Sequence, residues 1–269
     1  MPYLHGYNSE EQQRLVEQAH LLKNWTFRFC PKLENQGDGF SVLELACGVG
    51  AQTEIFLSLN PKVKMTCVDI SEDQINGAQK RLSGFSNIDF VCSDVEDLNF
   101  AHDSFDLIYA HWFYEHLKAP LKALSSVYKY LKPGGSMWGN EVNNATLFLD
   151  PYKESIQSYW YKFNDHQWNM GGDPFVGAKI GSYLCDAGFT GSNIQTHPMI
   201  IHFDKRDPKQ RKVFLEDFKS VLLSGSQSLL ESYRLKQNDL SVVEKDLDLV
   251  LKNPDSVIHW SWYQYSAVK

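Results

Sequence analysis

An α/β fold with a doubly wound, mostly parallel sheet is predicted for this chain by three observations. Short apolar runs alternate with helix-patterned segments between residues 40 and 142. A glycine turn, Cys47-Gly48-Val49-Gly50, separates the first run from the first of those helices. Asp69 and Asp94 then close the next two runs. Strand and helix alternating at this spacing build a parallel sheet with helices on both faces. Ligands of such sheets bind beyond the carboxyl ends of the strands, where these residues fall.

Each element has its own reason. Ser9 and Gln12 have capping-box spacing, and Leu15, Ala19 and Leu22 then line one face of a helix. Residues 31–39 hold Pro, Asn, Gln and two Gly and read as a loop. Strands are expected over 40–46, 63–70, 88–93, 105–110 and 136–142. Between them lie helices over 53–59, over the stretch opened by Ser71 and Gln74, and over 120–131, which Lys132-Pro133-Gly134-Gly135 stops. Beyond residue 142 the pattern is irregular and more aromatic. One or two helices are expected over 143–168, a turn at Gly171-Gly172-Asp173-Pro174 and a short helix over 180–187. A strand follows over 194–203, mostly helix over 207–251, and an aromatic strand over 257–267. The expected organisation is one domain of 1–269: a helical flap (1–30), a cofactor-binding core (40–142) and two helical cap insertions (143–177 and 207–255).

Composition narrows the function. With 43% hydrophobic residues the chain can bury a sizeable core. Its 26 Lys and Arg against 33 Asp and Glu give a net charge of −7, which argues against gripping nucleic acid by its phosphates. The five Cys, at 30, 47, 67, 92 and 185, lack metal-ligand spacing and read as reduced thiols. No run approaches 18 consecutive apolar residues, and the first twenty residues lack a signal peptide's apolar core. A cytoplasmic globular protein without metal or membrane contact is the expectation.

The glycines let the backbone turn tightly and bring a helix N-terminus to a ligand. A carboxylate at Asp69 can accept from both hydroxyls of a ribose, and Asp94 from an adenine amine. Each also has a plain structural use, as tight turn, helix cap or turn former. Ser71 already fills the capping role beside Asp69. A dinucleotide site would want a third glycine after Gly50, and Ala51-Gln52-Thr53 does not supply it, which tilts against nicotinamide.

Glu44-x-x-x-Gly48-x-Gly50, Asp69-Ile70-Ser71, Ser93-Asp94-Val95, Phe105-Asp106 and Leu131-Lys132-Pro133-Gly134-Gly135 stand in the order and spacing of one family. Over about residues 40–142 the chain resembles class I S-adenosylmethionine-dependent methyltransferases. Tyr3-Leu4-His5-Gly6, the Glu-rich helix after it and Gly172-Asp173-Pro174 resemble a subgroup acting on small molecules. The resemblance implies a Rossmann-like, seven-stranded sheet, with S-adenosylmethionine as cofactor and S-adenosylhomocysteine as product. It further implies that Ala46, Cys47, Gly48 and Gly50 pass under the methionine part of the cofactor, with Glu44 beneath its ammonium. Asp69 would bind the ribose diol, Ile70 would pack on the adenine, and Asp94 and the Val95 amide would read the adenine edge. Ala110 and His111 would stand near the sulfonium, and Tyr3 would belong to a flap. The family usually has Gly where Ala46 stands, and a methyl there is strained if φ is positive.

For the acceptor, His111 is the leading candidate for a catalytic base, ahead of His116, while Glu141 either orients a substrate amine or caps the sheet edge. No Asn/Asp-Pro-Pro-aromatic run follows the fourth strand, where His111-Trp112-Phe113-Tyr114 stands, so DNA amine methylation is not expected. Trp160, Tyr161, Phe163, Trp168 and Phe175, and Trp260, Trp262, Tyr263 and Tyr265, either wall a pocket or fill the core. The charged helices over 207–255 form a lid, or alternatively a homodimer contact. The sequence thus predicts methyl transfer to a small molecule. Its rivals are a protein or RNA methyltransferase with an open groove, a non-catalytic cofactor-binding module, and a nicotinamide dehydrogenase.

Overall fold

The computed structural model describes residues 4–6, 8–30, 33 and 36–269. Its sheet grows outward from β1 (Ser41–Leu45). Parallel neighbours flank it on both sides, β2 (Lys64–Asp69) and β4 (Phe105–His111). Beyond them β3 (Ile88–Cys92) pairs with β2 and β5 (Leu131–Val142) with β4, again parallel. The last strand, β8 (Val257–Val268), runs antiparallel between β5 and β7 (Ile194–Phe203). The three-residue β6 (Phe148–Asp150) also pairs with β8. Trp262 pairs with both Val142 and Met199, and Ile258 with both Leu149 and Phe203. β5 and β6 therefore share one edge of β8, and β7 takes the other. The order is β3-β2-β1-β4-β5-β8-β7, the expected mostly parallel seven-stranded sheet, with β6 prolonging the line of β5.

Alternation along the strands divides the core between two faces. Leu43, Leu45 and Ile108 pack on one face with α4 (Pro120–Tyr128) and α6 (Ile180–Asp186). Val42, Met65, Leu107, Tyr109 and Trp138 pack on the other, against Phe56 of α2 (Ala51–Leu59) and Leu82 at the end of α3 (Glu72–Arg81). Burial on both faces is why these strands read as mainly apolar runs and not as alternating ones. A further apolar cluster joins Ile201 and Trp262 of the sheet to α5 (Glu154–Asn169), α7 (Pro208–Ser224), α8 (Ser226–Glu231) and α9 (Gln237–Lys252). α1 (Ser9–Thr26) adds Leu22 to it. Buried polar groups tie α1 to the sheet: Gln264 donates through Nε2 to the Thr26 carbonyl and to Asn140 Oδ1, and accepts from the Phe29 amide at 2.9 Å.

Several local expectations are corrected. α1 is capped by Asn8, whose side chain accepts from the Glu11 amide at 2.8 Å, and Ser9 is the first helical residue. The helix expected to reach residue 131 ends at Tyr128, because Leu131 has already entered the sheet opposite Phe105. Leu107 next pairs with Ser136, so Lys132-Pro133-Gly134-Gly135 bulge out of β5, with Gly134 at φ +80°. Residues 143–168 hold a 3-10 turn (Asn144–Thr146) and β6 before α5 begins.

Candidate active site

The turn after β1 carries its chain through three left-handed residues in five positions: Ala46 at φ +52°, Gly48 at +54° and Gly50 at +75°. Gly50 is both N-cap of α2 and a close-packing point, since a Cβ there would come within 2.7 Å of Leu82 Cδ1. Ala46 is the strained member, as a non-glycine in this region stores about 1–3 kcal/mol. The condition set for strain at Ala46 is thus met.

Asp69 ends β2 and folds back on this turn. Its Oδ2 accepts from the Gly48 amide and its Oδ1 from the Ser71 amide, each at 2.9 Å. Burial pushes its pKa up, against the pull of those backbone amides. Ser71 caps α3 through the Gln74 amide, as its spacing predicts. Ile70 leaves 52% of its surface bare at the mouth of the site. Asp94 is exposed and accepts from the Glu96 amide at 3.0 Å, while Val95 beside it is buried. Under the turn, Glu44 is buried and accepts from Thr53 Oγ1 at 2.6 Å.

These residues line one end of a cavity of about 320 Å³. Glu44, Ala46, Cys47, Gly48, Asp69, Ile70, Asp94, Val95 and His111 all border it; Gly50 and Ala110 do not, and Ala110 is packed in the core. Tyr3 lies outside the described residues. The opposite wall comes from α1, α5 and α7, with Trp160, Phe163, Phe214 and Phe218 among its faces. Of the aromatic candidates, Trp160, Phe163 and Trp260 border the cavity, Tyr161 and Trp168 are exposed, and Trp262 and Tyr265 are core.

His111 ends β4 and stacks on Trp112, with ring centroids 4.3 Å apart. Its Nδ1 is enclosed without a hydrogen-bond partner, and burial pushes its pKa down to about 3. Trp112 itself sits at φ +49°, strained backbone for a bulky side chain. Its indole nitrogen is likewise unpartnered, and its ring meets Trp260 at 5.8 Å. His116 borders the cavity too, its pKa held at about 4 by burial. Glu141 has a different part from either expected one. It is fully buried below the loop after β4, accepting from the Phe113 amide at 3.0 Å and the Tyr114 amide at 2.9 Å.

Sequence reasoning passed over a polar set on the far wall. Arg14 donates through Nε and Nη2 to Glu11, at 2.7 and 2.6 Å, and through Nη1 to Gln18 at 3.2 Å. Asp217 of α7 faces the same cavity, its pKa pushed up to about 6 by burial. On the sequence these residues look like the solvated faces of charged helices, and no local signal marks them as buried. No group of side chains suited to a metal ion occurs among the described residues, nor is any helix there long and apolar enough to cross a membrane.

Buried carboxyls give the site a pH signature. Burial raises Glu44 and Glu141 to about 8 and Glu115 to about 7, so the folded chain holds protons that the unfolded chain has released by pH 6.5. Such groups stabilise below their unfolded pKa, and that contribution is lost as pH rises through the folded value. His111 and His116 act oppositely, with folded pKa values of about 3 and 4, but their effect is spent above pH 6.5. Melting temperature should therefore fall between about pH 6.5 and 8.5. A thermal melt series would show it, and a rising melting temperature over that window would refute the buried carboxyls as its source.

Residues 43–138 match a family model described as a methyltransferase domain. This segment belongs to the methyltransferase-domain family. The resemblance read from the sequence thus holds across the strands and turns that build the cavity's loop end. A malonyl-[acyl-carrier protein] O-methyltransferase of Priestia megaterium is 29% identical over 107 residues, 40% of this chain and 38% of that protein. The chain thus spans well under half of that relative's length. A demethylmenaquinone methyltransferase of Lactococcus lactis is 26% identical over 201 residues, 66% of this chain and 79% of that protein. Among solved structures, phosphoethanolamine N-methyltransferase 2 of Haemonchus contortus has the same fold at 19% identity, with a TM-score of 0.57 over 94% of this chain and 52% of that one.

Proposed function

We propose that this chain binds S-adenosylmethionine at the loop end of the cavity and transfers its methyl group to a small-molecule acceptor held at the other. The observation that carries the reading is that the predicted cofactor residues and a wall of helices border one continuous cavity. Strand-end turns with left-handed glycines line one end, and helices α1, α5 and α7 wall the other. A macromolecular acceptor would want an open groove.

The donor set suits such a cofactor. Each Asp69 oxygen already takes one backbone amide and has a further lone pair for a ribose hydroxyl. Ile70 offers a bare apolar face beside Asp94, whose exposed carboxylate suits an amine. A ligand ammonium would draw the Glu44 carboxyl down from about 8 and keep it ionised. When bound, the cofactor supplies a methyl group already activated by its sulfonium. What the chain adds is orientation and exclusion of water, which supply much of the acceleration in such displacements. At a pKa of about 3, His111 is neutral at physiological pH and serves as a hydrogen-bond acceptor that orients the acceptor molecule, too weak a base to take much proton.

Calorimetric titration tests this. S-adenosylmethionine and S-adenosylhomocysteine should bind in the micromolar range while NAD gives no heat. Silence from both adenosyl compounds, or binding of NAD in their place, would sink the reading.

A further inference from the structure

We propose that the acceptor carries an ammonium group on an apolar body, and that Asp217 together with the aromatic faces around it selects that charge. The inference rests on the methyltransferase reading and concerns the far wall of the same cavity.

The charges bordering the cavity are unbalanced. Five acidic side chains do so among the described residues, Glu44, Asp69, Asp94, Glu115 and Asp217, against one arginine or lysine, Arg14. Burial raises Glu44 to about 8 and Glu115 to about 7 and keeps both at least partly protonated near pH 7, which leaves Asp69, Asp94 and Asp217 against Arg14. Arg14 already commits donors to both oxygens of Glu11 and to Gln18. An anionic acceptor would therefore have to compete with a bidentate carboxylate for the cation. The histidines do not restore the balance, because burial pushes His5, His111 and His116 down and leaves them neutral near pH 7.

Glu44, Asp69 and Asp94 are placed at the cofactor end. Asp217 stands apart from them, on α7, flanked by Phe214 and Phe218, which border the cavity with it. Trp160 and Phe163 stack 5.3 Å apart, and Phe218 lies 5.8 Å from Trp160. Ring faces attract cations, the more so when water is excluded. A carboxylate that shares a cavity wall with ring faces is a site for a desolvated ammonium, and a neutral hydroxyl or a carboxylate of the same shape gains nothing from it. Asp217 could instead serve only to bridge α7 to Gln18 and Arg14 of α1, and the test separates these uses.

Phenethylamine, 2-phenylethanol and phenylacetate place an ammonium, a hydroxyl and a carboxylate on closely similar apolar frames. Each is titrated into the full chain saturated with S-adenosylhomocysteine. The amine should bind at least about tenfold more tightly than either analogue, the value of one charge-assisted contact. Asp217→Asn should bring the amine to the level of the alcohol, with melting temperature and S-adenosylhomocysteine affinity unchanged. Asp217→Glu should keep most of the preference. Equal or tighter binding of the alcohol or the carboxylate overturns the proposal. So does an absence of amine binding, an undiminished preference in Asp217→Asn, or a fall in its melting temperature without a change in preference. Failure of S-adenosylhomocysteine to bind is a separate result against the methyltransferase reading, and the three probes can then be compared on the unliganded chain.

Discussion

Asp69→Ala should lower the affinity for S-adenosylhomocysteine by about 100-fold while leaving the fold in place. Hydrogen bonds to a charged group contribute roughly 1.5–3 kcal/mol each, and two to a ribose diol amount to about 3 kcal/mol or more. The same carboxylate holds the Gly48 amide in place, so its loss also loosens the left-handed turn under the ligand. Stability should suffer little, because burial already raises the pKa of Asp69 and disfavours its charge in the folded chain. Asp69→Asn, which keeps one oxygen acceptor, should fall between. Calorimetry on both variants decides the matter, and an Asp69→Ala affinity within about threefold of the parent, under 1 kcal/mol, would remove Asp69 from the site.

Glu141→Ala should act on stability. The side chain is wholly buried, and its two oxygens take the amides of Phe113, Tyr114 and Glu115, the last at 3.4 Å. Alanine leaves those donors unsatisfied around a new hole, and each buried orphan costs about 1–3 kcal/mol. A loss of at least 3 kcal/mol is expected, about half the stability of a marginal domain. Glutamine keeps one oxygen, enough for the Phe113 and Tyr114 amides that share Oε1, and sheds the cost of ionisation. It should match the parent most closely at about pH 8.5, where the parent carboxyl, with a pKa of about 8, is mostly ionised. Urea unfolding would show a lowered midpoint for alanine with an unchanged slope. A loss below about 1 kcal/mol would mean that water replaces the carboxyl under the loop.

What the sequence made legible follows from how local each cause is. β1, β2 and β4 are buried on both faces, so most of their residues are apolar, and Asp69 and Asp94 punctuate the strand ends. Ser71 announces its helix because its cap is made three residues away. Leu131 misled because an apolar residue serves equally as the end of a helix or the start of a strand, and its partner Phe105 is far along the chain. The sign of φ at Ala46 and Trp112 has no sequence marker when the residue is not glycine. Arg14 and Asp217 were illegible for a similar reason: each sits on a helix whose pattern suits a solvated face, and only the packing of α1 against α7 puts both at the cavity.

The place of β8 sets the timing of biogenesis. It fills the slot between β5 and β7, and its Gln264 holds the end of α1 through contacts reaching back more than two hundred residues. While the ribosome is still adding residues 257–268, the nascent chain can assemble β1 to β5 and pack α1 on α2, but the tie from Gln264 to the end of α1 is missing. The tether at the end of that helix must wait, and β5 offers an open edge in the meantime. Closure of the sheet thus follows synthesis of residues 257–268, and the interval before it is when a chaperone would matter most to this chain.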